Sequence, residues 1–129
     1  MNREKYYRIM FLSGAIWNWL IAIVFILLTL FLLPEAASLV GISIPPSLLF
    51  MHGFLVFAFI IGVGLFIISR DINNNRGIAQ MCVVEKFSIF TLFLIYFILG
   101  DFNIILFLPV IVDLIYGILF LEFLINYKK

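Results

Sequence analysis

The sequence predicts an all-α transmembrane four-helix bundle with both termini on the cytoplasmic side. Three observations carry that expectation. Of the 129 residues, 66% are apolar and only 12% charged, whereas a soluble domain is about 45–50% apolar and about 25% charged. The charges are clustered and leave stretches long enough to cross a bilayer. Proline, glycine and asparagine fall between those stretches. A soluble chain of this size buries only about two-thirds of its unfolded surface, and the polar residues needed to coat the rest are missing. The composition excludes a soluble enzyme, a disulfide scaffold and a disordered region. A net charge of +1 gives no footing for nucleic acid.

Each span follows from the spacing of charges. Residues 9–34 and 36–69 contain no acid, lysine or arginine, and about 20 apolar residues suffice to cross ~30 Å of hydrocarbon. The first gap predicts a helix over 9–33, closed by Pro34. Pro45 and Pro46 interrupt the second gap, so a helix is expected over 46–69, with proline tolerated at its first position. The hydrophilic run Arg70-Asp71-Ile72-Asn73-Asn74-Asn75-Arg76-Gly77 reads as a loop. A third helix over 78–99 must take Glu85 and Lys86 into its body. Gly100 to Asn103 makes a turn, and 104–127 forms the fourth helix. No repeat or second domain is visible, and a single membrane domain over 1–129 is expected. The basic start Arg3-Glu4-Lys5 precedes an apolar run longer than the 7–15 residues of a signal core, so the first helix is expected to be retained.

All eight Lys/Arg can be assigned to one side. Arg3, Lys5 and Arg8 precede the first helix, and Arg70 and Arg76 lie in the second loop. Lys86 follows just inside the third helix, and Lys128 and Lys129 end the chain. The loops 34–45 and 100–103 hold none. Basic short loops stay cytoplasmic, which sets the expected orientation.

Polar side chains within the spans are the candidate site residues, because ionisable groups there face the bundle interior and find partners. At about 1.5 Å per residue, Asn18 and Asp113 reach the same level near the bilayer centre. An Asn18 amide donating to Asp113 is expected, either as a structural clasp or as a binding or proton-carrying centre. Tyr116, three residues after Asp113, shares its face, and Gly14, Asn18 and Ala22 make a close-packing row. A second cluster, Glu85 and Glu122 with Tyr96, is expected either to line a polar cavity open to the cytoplasm or to be neutralised by Lys86 or Arg76 pairing with Glu122. His52, in the second helix, is expected either to be a hydrogen-bonded structural histidine or to form a relay with Asp113. As the only histidine, it has no companion for a metal site. Cys82 is the only cysteine and is expected to serve as a small apolar residue. No phosphate loop, paired-cysteine motif or serine elbow appears, so no metal or cofactor is identifiable and no catalytic residue is assigned.

The segments Ser69-Arg70-Asp71, Asn75-Arg76-Gly77, Lys86, Gly100 and Val112-Asp113-Leu114 give the chain a resemblance to small bacterial four-helix membrane proteins of the DoxX-like kind. The resemblance implies a bundle in the bacterial inner membrane and an association with redox or quinone partners. It assigns no catalytic residue. Two functions are expected from the sequence. The first is a protein that holds a hydrophobic small molecule or lipid in the bundle, or serves a membrane complex as an accessory subunit. The second is a small proton-coupled transporter acting as a homodimer, with Asp113, Glu85 and His52 carrying protons.

Overall fold

In a computed structural model, residues 2–127 are described, and they form five α-helices with no strand among them. These are α1 (Arg3–Phe31), α2 (Leu33–Val40), α3 (Leu49–Arg70), α4 (Arg76–Ile98) and α5 (Ile104–Asn126). All but α2 are long and apolar enough to cross a membrane. Lys128 and Lys129, two of the bases used to orient the chain, lie outside the described residues.

The boundaries differ from the sequence reading for local reasons. α1 begins six residues early because charge does not stop a helix: Asn2 caps it by accepting from the Glu4 amide (3.3 Å). Leu32 leaves helical geometry (φ −135°), which ends α1. Pro34, expected only to close α1, lies in the first turn of α2, where its missing N–H has no partner to lose. The expected 34–45 loop is therefore half helical. Gly41, at φ 75°, ends α2 in the left-handed region, with its N–H and that of Ile42 returning to the Ala37 carbonyl. α3 starts at Leu49 rather than Pro46, and the Ser47 hydroxyl accepts from the Leu49 amide (3.2 Å).

α1 packs chiefly on α3 and α4 chiefly on α5, each an antiparallel pair. α3–α4 and α1–α5 contacts join the two pairs. At one end, the start of α1 meets the ends of α3 and α5. Arg8 donates to the Arg70 carbonyl (3.0 Å). Arg76 donates to the Leu124 and Tyr127 carbonyls (2.7 and 2.5 Å) and lies 5.5 Å from the Phe123 ring centre. Two arginines thus satisfy the free carbonyls that end two neighbouring helices, where cations also favour the helix dipole. Arg3, Arg8, Arg70 and Arg76 all gather at this end. At the other, the Asn103 backbone and side-chain amides donate to the Val40 and Leu39 carbonyls (2.9 and 2.7 Å), fastening α2 to the start of α5.

The core is aromatic toward the terminal end. Phe11 stacks on Phe120 (4.9 Å) and meets Phe123 edge-on, and Tyr7 packs against Phe123 and Tyr127. Cys82 is fully buried among these apolar residues, as expected for a small apolar side chain.

Candidate functional site

The centre of the bundle is organised by Lys86, which has no exposed surface. It lies ten residues into α4, about 15 Å from that helix's start. Its ammonium donates to Asn18 Oδ1 on α1 and to Asp113 Oδ1 on α5, both at 2.8 Å, and stands 3.6 Å from Glu85 Oε2 on its own helix. Asp113 Oδ1 also accepts from Trp17 Nε1 (3.1 Å). One lysine therefore ties three spanning helices together through charge-assisted hydrogen bonds, the strong kind.

Asn18 and Asp113 meet at one level, but not through a bond to each other. A lysine has donors and no acceptor, so the amide oxygen of Asn18 must face it. Asn18 Nδ2, expected to donate to Asp113, is buried without a partner among the described residues. Glu85 Oε2 is the other buried side-chain atom in that condition.

The remaining candidates are dispersed. Glu122 pairs with neither Lys86 nor Arg76; Tyr7 Oη (2.8 Å) and Asn126 Nδ2 (3.0 Å) donate to it near the terminal end. Arg76 is committed to the α5 carbonyls and Lys86 to Asp113, so neither is free for it. Tyr96 lies eleven residues beyond Glu85, about 16 Å along α4. It is exposed, next to the Gly100 turn. Glu85, Glu122 and Tyr96 thus form no common cavity. His52 Nε2 bonds Thr29 Oγ1 on α1 (2.9 Å), whose hydroxyl proton serves the Phe25 and Ile26 carbonyls. No relay from His52 to Asp113 forms. Tyr116 donates to Ser13 Oγ (3.2 Å) rather than to Asp113.

Two central residues escaped the sequence reading as site candidates. Lys86 is counted in the sequence reading among the bases of one side, just inside the third helix, and as a partner for Glu122. A helix starting at 78 leaves Lys86 shallower than Asn18; α4 starts at Arg76 and places it ten residues in. Trp17 carried none beyond its place beside Asn18.

Close packing holds the lysine in place. A Cβ added at Gly117 on α5 would stand 3.0 Å from Lys86 Cβ, which is backbone-anchored and cannot swing aside. Gly117→Ala is expected to cost about 1–3 kcal/mol as overpacking, read as earlier unfolding in a denaturant titration.

On the outer surface, a groove of about 470 Å³ runs between α1 and α5. Its walls include Ile9, Met10, Val112, Ile115 and Leu119, and the Ser13–Tyr116 hydrogen bond supplies its polar spot. Asp113 follows Val112 in the chain, and Trp17 lies one turn past Ser13, so the Trp17–Asp113 bond continues the line of the groove toward mid-span. Asp113 keeps 19% of its side chain exposed, and its Oδ2 has no hydrogen-bond partner among the described residues.

Comparison with protein-family models, curated proteins and solved structures found no match to this chain.

Proposed function

We propose that this chain is a multi-pass protein of a bacterial cytoplasmic membrane, with both termini cytoplasmic. In this reading it binds a lipophilic small molecule or lipid, with a hydrogen-bonding head, in the groove between α1 and α5. The one-sided gathering of bases supports the orientation, and the DoxX-like resemblance supports the membrane. The observation that carries the binding reading is the groove itself. An apolar hollow of a few hundred Å³ with a few convergent polar groups is the usual form of a small-molecule site. Here the apolar walls suit a hydrocarbon body. The Ser13 hydroxyl donates to the Met10 carbonyl and the Tyr116 hydroxyl to Ser13, so the two leave acceptor lone pairs that suit a head group that donates.

Native mass spectrometry of the protein released from lipid nanodiscs tests this reading. The wild type is expected to retain a bound small molecule. Ser13→Trp, which fills the groove at its polar spot, should lower its occupancy by roughly tenfold, equivalent to about 1.4 kcal/mol. Equal occupancy in both proteins, or none in the wild type, would remove the groove as the binding site.

A further inference from the structure

We propose that Glu85 carries an exchangeable proton at the centre of the bundle, beside a standing Lys86–Asp113 ion pair. Within 4 Å of one ammonium lie two carboxyl groups, at 2.8 Å (Asp113) and 3.6 Å (Glu85). If all three were ionised, the cluster would hold a net negative charge in a setting where an unpaired charge is costly. Among the described residues no other cation reaches it. α1 contributes Asn18 and Trp17, both uncharged, and its own Arg8 is engaged at the terminal end. From α5 come Asp113 and, one turn on, Tyr116, which is bonded to Ser13. α3 offers only His52, bonded to Thr29, and Arg70 at its end. α4 itself adds Cys82, one turn before Lys86, and Arg76 at its start. Neutrality therefore requires one proton on one of the two carboxyls.

The hydrogen bonds identify which one. Asp113 Oδ1 accepts from both Lys86 and Trp17, the pattern of an ionised carboxylate. Glu85 accepts no hydrogen bond among the described residues, and its Oε2 is buried. A neutral carboxyl tolerates that setting far better than an anion does.

The cluster also contains what is needed when the proton leaves. The ammonium has three hydrogens, of which Asn18 and Asp113 take two. The third can close on Glu85 from 3.6 Å. The idle Nδ2 of Asn18 is a second spare donor in the same cluster. Release leaves a Glu85 carboxylate and a free proton, and uptake reverses both changes. No other bond is made or broken, and the cycle needs no ligand in the α1–α5 groove.

Infrared spectroscopy of the full chain in liposomes tests this directly, since a protonated carboxyl has a C=O stretch distinct from the carboxylate bands. At pH 7 the wild type should show one protonated carboxyl per chain. That band should vanish in Glu85→Gln, shift in Glu85→Asp and stay in place in Asp113→Glu. The amide band in the same spectra reports whether each variant keeps its helices. If Glu85→Gln does not fold, the Asp and Glu variants still decide the assignment. A wild type without the band, a band surviving in Glu85→Gln, or a band that shifts only in Asp113→Glu would overturn the proposal.

Discussion

Lys86→Met is expected to destabilise the bundle by about 3–5 kcal/mol, the range found when one partner of a buried ion pair is removed. The methionine fits the aliphatic track of the lysine, so packing changes little. What is lost is the ammonium that satisfies Asn18 Oδ1 and Asp113 Oδ1 at 2.8 Å each. Asp113 would keep only the Trp17 bond, and Asn18 would have both ends of its amide unpartnered. The connection joining α1, α4 and α5 would go with it. Adding Asp113→Leu to Lys86→Met should recover much of the loss, because the pair disappears together and leaves apolar groups behind. Denaturant titration of both single variants and the double variant forms a thermodynamic cycle. Additive losses would show that the two side chains do not interact.

Gly62→Ala is expected to have the second largest effect, at about 1–3 kcal/mol. Gly62 faces α1 on α3, with no room for a Cβ between the two helices. A Cβ there would stand 2.6 Å from both Cδ1 and Nε1 of Trp19 and 3.2 Å from the Ala15 carbonyl oxygen. The indole would have to leave its place, and with it the Trp19 Nε1 bond to the Phe59 carbonyl (3.2 Å). The backbone carbonyl of Ala15 has no such freedom. Trp19→Leu in the Gly62→Ala background should restore part of the loss by making room. Gly53→Ala on the same helix is the control: nothing lies within 4 Å of the added carbon. Exchanging glycine for alanine there should stabilise by up to about 1 kcal/mol. Equal behaviour of the two alanine variants would contradict the packing described for α1 and α3.

Much of the architecture was legible because the bilayer requirement is coarse. Gaps between charges report two spans well, and α1 and α3 fall where those gaps lie; α4 and α5 carry charges within their bodies and were bounded instead by the polar run after Ser69 and the Gly100 turn. Their ends were less legible, since caps rather than charges set them. Asn2 extends α1 among charged residues, and Pro34 opens α2 instead of only closing α1. The site was legible in level but not in partner. Depth counting brought Asn18 and Asp113 to the same height, where the structure has them share one ammonium. The lysine between them was counted with the bases of one side, just inside a helix expected to start at 78; α4 starts at Arg76 and holds it ten residues in. Of the two readings for His52, the structure has the hydrogen-bonded one, with Thr29 as the partner. Tyr116 was misdirected toward Asp113 because depth says nothing about azimuth, and its partner is Ser13.

The central claim is that Lys86 is an interior counter-ion rather than a surface base. Solid-state NMR of the labelled protein in lipid bilayers addresses it most directly. Lys86 Nζ is expected to show through-space cross-peaks to the Asp113 carboxyl carbon and the Asn18 amide carbon, with no transfer from bulk water. A Lys86 amine in contact with water or lipid headgroups, and without the Asp113 cross-peak, would contradict the account.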